Sequence, residues 1–395
     1  MQFEFLEEKK KQTREQRVVP DVCGSRLYGY AESFRELAKS FQKGEPSETL
    51  DRRTFFEEER IRENCGVIAG HLCEVAQIME QAAKELVGMK PLEEKAWNRL
   101  AQGLRKRDLI LEGACKVPME TGGQLSLCLR TSRSEGLPAN VAEEAIEEAL
   151  GKRYCLSMNS GDVVGREEAT FLFVEEPTYL AFTGFARVIK SREEVSGDNY
   201  SILQSERGTV TLLLSDGTGS GEKASMGSGF VLDLAEKLLE TGYRPDTAMK
   251  MVNATAVTKG GEMGHPTLDA CRLDLRRGDC MFCKAGGAVS FRKRGEEVEE
   301  IVGGQLPLGI FQDLEPQKHY LRLEEGDSVI LMTDGVLEAF RDRGYEEAAR
   351  SCLAGMKDLS PKEMAEKLMQ FAIFASEGNV RDDMTILVAT LWRNP

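Results

Sequence analysis

Histidine is scarce in this chain: His71, His265 and His319 are the only three in 395 residues, and none stands at a ligand-pair spacing from another. That scarcity argues against a zinc site built on imidazoles and against a serine–histidine–aspartate hydrolase. No run of about 18 uncharged apolar residues occurs, so the sequence offers no membrane-spanning helix. Residues 1–17 are charged and lack the hydrophobic segment of a secretory leader. Positive charge is also in deficit, with 52 Lys and Arg against 66 Asp and Glu and a net charge of −14. A nucleic-acid partner is not expected, because such a surface repels phosphate backbones. The short basic clusters Lys9 to Arg17 and Arg105 to Arg107 read as solvated faces; the first has a second reading as the basic flank of a membrane anchor. The ten cysteines show no disulfide framework, which fits a reducing cytoplasm. Cys280 and Cys283 form a C-x-x-C without a second pair or a nearby histidine, and their apolar setting reads as a strand.

What is present is the composition of a globular protein, 41% hydrophobic and 30% charged, long enough for two or three domains. Leu27, Tyr30, Phe34, Leu37 and Phe41 recur at helical steps. Ile61, Cys65, Ile68, Leu72, Val75, Met79, Ala82 and Leu86 hold a 4-3 spacing, a narrow seam that packs against another helix. The partner is either the first helix or a second subunit, and homodimerisation through these helices is expected. Pro91 is expected at the first turn of a helix using Leu92, Ala96, Leu100 and Leu104. Strands follow at Leu109 to Val117 and Gln124 to Arg130 around a turn at Gly122 and Gly123, then a helix over 138–150 and strands at 154–158 and 169–175. The acidic face Glu143, Glu144, Glu147 and Glu148 reads as solvated surface. From Tyr179 onward strands dominate, with 179–190, 200–205 and 209–215 forming an antiparallel-looking series, and helices are expected near 222–241, 245–258 and 361–375. Strands in blocks with helices between the blocks indicate an α+β fold rather than parallel βαβ winding. The expected domains are a coiled-coil-like helical region at 1–90, a small α/β unit at 91–177 and a larger domain at 178–395.

The chemistry lies at strand ends. Leu212-Leu213-Leu214-Ser215 delivers Asp216-Gly217-Thr218-Gly219-Ser220-Gly221, and Val329-Ile330-Leu331-Met332-Thr333 delivers Asp334-Gly335. Asp382-Asp383 precedes the apolar run that begins at Met384. Carboxylates that converge cannot all stay ionised without positive charge to offset them, so such aspartates favour hard cations such as Mg²⁺ or Mn²⁺. The glycines after Asp216 lack the lysine of a P-loop and the spacing of a dinucleotide fingerprint. They give backbone freedom beside an ion.

These three segments, with Ser196-Gly197-Asp198 and Gln305-Leu306-Pro307-Leu308-Gly309, resemble the acidic motifs of the metal-dependent PPM/PP2C-type phosphatases. Within that group they are most similar to the bacterial sporulation branch typified by stage II sporulation protein E. The resemblance covers about 178–395 specifically and the preceding segments less so. It implies an αββα sandwich of two antiparallel sheets flanked by helices, preceded by a helical segment and a small α/β regulatory domain. It implies two divalent metal ions, Mn²⁺ or Mg²⁺, with Asp216 bridging them, the Gly217 carbonyl on the second, Asp334 and Asp382 completing the first, and Asp198 near the second. The helices after Asp216 are implied to act as a switch. Thr218 stands where methionine is usual and Ser220 where asparagine is common, and no arginine matches the phosphate clamp of eukaryotic relatives. The implied activity is hydrolysis of phosphoserine on a small anti-anti-sigma (STAS-type) protein, activating a sporulation sigma factor, with a cell-division partner also implied. A soluble stress-response phosphatase and a catalytically silent partner-binding regulator are the competing readings. The expected location is the cytoplasm, either as a free protein or as the cytoplasmic part of a membrane-anchored one.

Overall fold

The computed structural model describes residues 23–41, 52–118, 123–205, 208–259, 264–304, 306–311, 314–341 and 344–395, without the side chains of 52–64, 67, 71, 74 and 118. Lys9 to Arg17, the Gly122 turn position, Gln305 and the Ile61 side chain therefore lie outside the described residues. The chain divides into two compact units, Met1–Glu176 and Pro177–Pro395. No helix among the described residues is long and apolar enough to cross a membrane.

In the first unit, α1 (23–41) packs on α2 (Arg52–Val87): a Cβ on Gly24 would lie 2.4 Å from Val87 Cγ2, and Arg35 pairs with Glu80. The buried positions are the small ones, Ala31, Ala38, Ala69, Ala76 and Ala83, whereas the expected stripe residues Tyr30, Leu37, Phe41 and Ile68 are exposed. The reason is steric. A seam of alanine and glycine at seven-residue steps lets two helices approach closely, which pushes bulky side chains to its flanks.

A five-stranded sheet completes this unit. Its strands β1 (Lys90–Pro91), β2 (Leu109–Pro118), β3 (Gly123–Thr131), β5 (Tyr154–Leu156) and β7 (Ala169–Glu175) run in the order β1-β2-β3-β7-β5, with β4 (Leu137–Pro138) and β6 (Val163–Val164) paired apart from it. Pro91 lies in β1 rather than in a helical first turn, because it pairs with Cys115 before α3 (Glu94–Arg105) begins. Leu100 and Leu104 of α3 and Ile146 of α4 (Ala142–Leu150) cover one face of the sheet. Glu144 and Glu148 pair with Arg107 at the surface.

The second unit is a four-layer sandwich. One sheet contains β9 (Asn199–Ser205), β10 (Thr209–Ser215), β11 (Leu268–Asp274), β12 (Asp279–Ala285) and β15 (Gln317–Arg322). The other contains β8 (Tyr179–Val188), β13 (Ser290–Arg294), β14 (Glu297–Ile301), β16 (Ser328–Met332) and β17 (Met384–Arg393). Every pairing in both sheets is antiparallel. Alternation builds the layers, since successive side chains of a strand point to opposite faces. Leu212 and Leu214 meet Leu331, Leu387 and Ala389 between the sheets. Leu213 instead faces Val231 and Val252 of α5 (Gly221–Glu240) and α6 (Pro245–Lys259). Ile330, Met332, Ile386 and Val388 face α7 (Asp334–Glu338), α8 (Tyr345–Ala354) and α9 (Pro361–Ala375). Both faces of the central strands are thus buried, which is why they read as unbroken apolar runs. This is the expected αββα architecture. One local expectation fails: β8 does not extend the β9–β10 hairpin but pairs with β17 in the opposite sheet.

Candidate metal centre

Antiparallel pairing gathers the acidic motifs. Ser215, the last residue of β10, pairs with Asn199, the first of β9, so Asp216 and Asp198 emerge side by side from one sheet. Met332 at the end of β16 pairs with Ile386 near the start of β17, so Asp334 and the Asp382-Asp383 pair emerge together from the other.

Asp198 ties the two sheets. Its Oδ2 accepts hydrogen bonds from Thr333 Oγ1 at 2.9 Å and Thr385 Oγ1 at 2.7 Å. Its Oδ1 is buried with no protein partner, and the residue is 1% exposed. An orphaned carboxylate oxygen in that position is costly unless a cation or water meets it. Burial, only partly opposed by the two threonines, pushes the Asp198 carboxyl upward.

Asp216 is held by its backbone, whose N–H donates to Thr267 Oγ1 at 3.1 Å and whose carbonyl accepts from Thr267 N at 2.9 Å. Burial raises its carboxyl far above the usual range, followed by the charges of Asp334 and Asp198, a shared hydrogen bond with Asp334 and the charge of Asp382. Asp216 and Asp334 line the same small cavity at the sheet edge. Asp382 stands at the rim, its carboxyl raised by burial and drawn back by the Asp383 N–H and by Lys190, whose Nζ is 3.9 Å from Asp382 Oδ1.

The four aspartates share one edge, but no three His, Cys, Asp or Glu side chains among the described residues form a closed cage for an ion. In chemistry the set fits hard divalent cations, being carboxylate oxygens in mutual repulsion with one orphaned lone-pair site.

Gly217 is glycine for a visible reason: a Cβ there would lie 2.3 Å from the Ala224 carbonyl oxygen of α5 and 2.8 Å from the Gly197 carbonyl oxygen. The same helix holds the Asp198 segment, since Asn199 Nδ2 donates to Ser228 Oγ at 2.9 Å and Ser228 Oγ donates to the Gly197 carbonyl. Asp383, quoted in the motif but given no role from sequence, is a clamp. It is 3% exposed, with Oδ1 accepting from Lys190 N at 2.9 Å and Oδ2 from Gly197 N at 2.8 Å. Thr333 and Thr385 belong to the motif segments yet, like Lys190 at a strand end, carry no role legible from the sequence.

Residues 206–392 match the profile of the family described as stage II sporulation protein E (SpoIIE). A curated stage II sporulation protein E from Priestia megaterium is 26% identical over 337 residues, 85% of this chain and 58% of that protein. The one from Bacillus subtilis (strain 168) is 31% identical over 223 residues, 56% of this chain and 27% of that protein. The chain thus spans less than two thirds of the length of either relative. The phosphoserine phosphatase RsbU of B. subtilis is 22% identical over half of the chain. A solved structure of the PP2C phosphatase domain of SpoIIE from B. subtilis, with a fragment of its regulatory domain, shares the fold. Its TM-score is 0.66 at 23% identity, covering 88% of this chain and 99% of that one.

Proposed function

Since the chain belongs, through its C-terminal unit, to the stage II sporulation protein E family of PP2C-type phosphatases, we propose that it is a metal-dependent protein serine/threonine phosphatase. Its substrate is phosphoserine on a small anti-anti-sigma protein of STAS type, whose dephosphorylation activates a sporulation sigma factor. The observation that carries this reading is the meeting of Asp198, Asp216, Asp334 and Asp382 at one edge of the sandwich, with Asp198 Oδ1 buried and unpartnered.

Two divalent ions, Mn²⁺ or Mg²⁺, held by Asp216, the Gly217 carbonyl, Asp334, Asp382 and Asp198 would supply the positive charge that offsets the phosphoryl oxygens and lowers the pKa of an attacking water. The chain's own residues set the geometry for this chemistry. Thr333 and Thr385 fix Asp198, Thr267 fixes the Asp216 backbone, and Asp383 fixes the 190–197 segment. The docking of α5 and α6 controls whether the carboxylates close, because α5 contacts Gly217 and Gly197 directly. The segments at 1–90 and 91–177 act as the regulatory part, the exposed bulky residues of α1 and α2 offering a homodimer contact. A cell-division partner and membrane anchoring of the whole protein belong to the same proposal.

Phosphate release from a phosphorylated anti-anti-sigma protein, titrated with Mn²⁺, tests the function. The expected result is metal-dependent hydrolysis in wild type and its abolition in Asp216→Asn with the fold intact. Full activity in that variant defeats the reading. Release from a stress-response substrate alone would move the protein to the soluble stress-response alternative.

A further inference from the structure

Behind the acidic edge lies a second, fully buried charged pair that the site above does not use. Asp269 of β11 and Lys284 of β12 are directly opposed cross-strand neighbours, 2% and 0% exposed. Lys284 Nζ donates to Asp269 Oδ2 and, at 2.8 Å, to Ser290 Oγ at the start of β13 in the other sheet. Asp269 Oδ1 is buried without a protein partner. A Cβ on Gly287 would lie 2.1 Å from that oxygen, so glycine there leaves room for the carboxylate.

Charge burial of this kind is rarely chosen for stability, because apolar residues of similar volume usually do as well or better. The position of the pair suggests a different use. Asp269 lines a cavity of about 30 Å³ whose other walls include Asp216, Thr267, Thr333 and Asp334. An ordered water needs roughly 10–15 Å³ and two to four polar partners, and this cavity meets both conditions.

We propose that Asp269 is a positioning residue for the metal-binding carboxylates: a water in the cavity donates one hydrogen bond to Asp269 Oδ1 and the other to the carboxylate of Asp216. Lys284 holds the opposite Asp269 oxygen and anchors it to both sheets. The bridge fixes the direction in which the Asp216 carboxylate presents its lone pairs, the part played around metal sites by residues that orient ligands without touching the ion. This inference rests on the phosphatase reading.

Asp269→Ala alone strands a buried ammonium and so tests the fold rather than the role. The informative variant replaces both partners, Asp269→Leu with Lys284→Met, which removes the charges together. The expected result is a melting temperature in EDTA at or above wild type, with Mn²⁺ affinity by isothermal titration calorimetry lowered roughly 10–100-fold. The kcat on p-nitrophenyl phosphate falls in step while KM stays near wild type. The companion variant Asp269→Asn with Lys284→Met restores an amide oxygen without charge and is expected to recover most of the lost affinity. Wild-type affinity and kcat in the Leu/Met variant, or no recovery in the Asn/Met variant, overturns the proposal while leaving the phosphatase reading intact. A wild-type protein that neither binds Mn²⁺ nor releases phosphate overturns both.

Discussion

Thr385 Oγ1 donates a 2.7 Å hydrogen bond to Asp198 Oδ2 across 187 residues of sequence, joining the first residues of β17 to the turn that enters β9. Thr333 reaches the same oxygen from 135 residues away. The two sheets are thus pinned to each other at the point where the acidic motifs converge. Removing one donor leaves a buried carboxylate less satisfied, which costs about 1–3 kcal/mol. Thr385→Val is accordingly expected to lose about that much stability and to weaken Mn²⁺ binding, whereas Thr385→Ser retains both. Denaturant melts and metal titration of the two variants check it.

The Gly335 position admits no side chain. A Cβ there would lie 2.1 Å from the Asp383 carbonyl oxygen, a backbone atom that cannot swing aside. Gly335→Ala must displace either α7 or the Asp382-Asp383 turn, and overpacking of this kind costs about 1–3 kcal/mol. Phosphate release is expected to fall with it, because Asp334 and Asp382 sit on the two displaced segments. An alanine variant with wild-type melting and wild-type turnover contradicts the account.

Asp383 holds two backbone N–H groups with its two oxygens. Asparagine offers one oxygen and one NH₂, so Asp383→Asn leaves either Lys190 N or Gly197 N facing a donor, at about 1–3 kcal/mol. The expected signature is local: faster amide hydrogen exchange over 190–197, with the amides of β11 and β12 unchanged. Uniform acceleration through the sandwich instead points to a global effect.

Asp246 lies in the first turn of α6, 3.3 Å from both Arg244 Nε and Lys318 Nζ. Burial opposes its ionisation, yet Arg244 and Lys318 outweigh that and hold its carboxyl below the ordinary carboxylate value. A carboxyl depressed in the folded state contributes stability above its unfolded value, near about 3.9, and loses it as pH falls through the folded value. Wild type is expected to exceed Asp246→Asn by up to about 1 kcal/mol near neutral pH, since the pair is partly solvated. The gap should close in strong acid. Thermal melts of both proteins from about pH 7 down to about pH 2 test the sign.

Several elements escaped the sequence for one physical reason, that their structure comes from pairing rather than pattern. The edge strands Glu297–Ile301 and Gln317–Arg322 are mostly polar and exposed, and they are strands because β13 and β12 supply the hydrogen bonds. The helix Asp334–Glu338 is only five residues long, too short for a periodic signal. In the helical hairpin, counting large hydrophobics selected Tyr30, Leu37 and Ile68, while close approach buried alanines instead. The place of β8 in the second sheet depended on β17, almost two hundred residues downstream.

The sequence by itself determined an α+β class and the acidic motifs, because doubly buried strands must be continuously apolar and carboxylates at their ends must be met by charge; the αββα sandwich was legible only through the resemblance that those motifs carry. Tertiary structure alone decided which carboxylates face one another, which threonines hold Asp198, that Asp383 is a clamp, and that Asp269 and Lys284 stand behind the site. Hydrogen bonds between residues far apart in sequence leave no local pattern. They exist only once the two sheets have closed on each other.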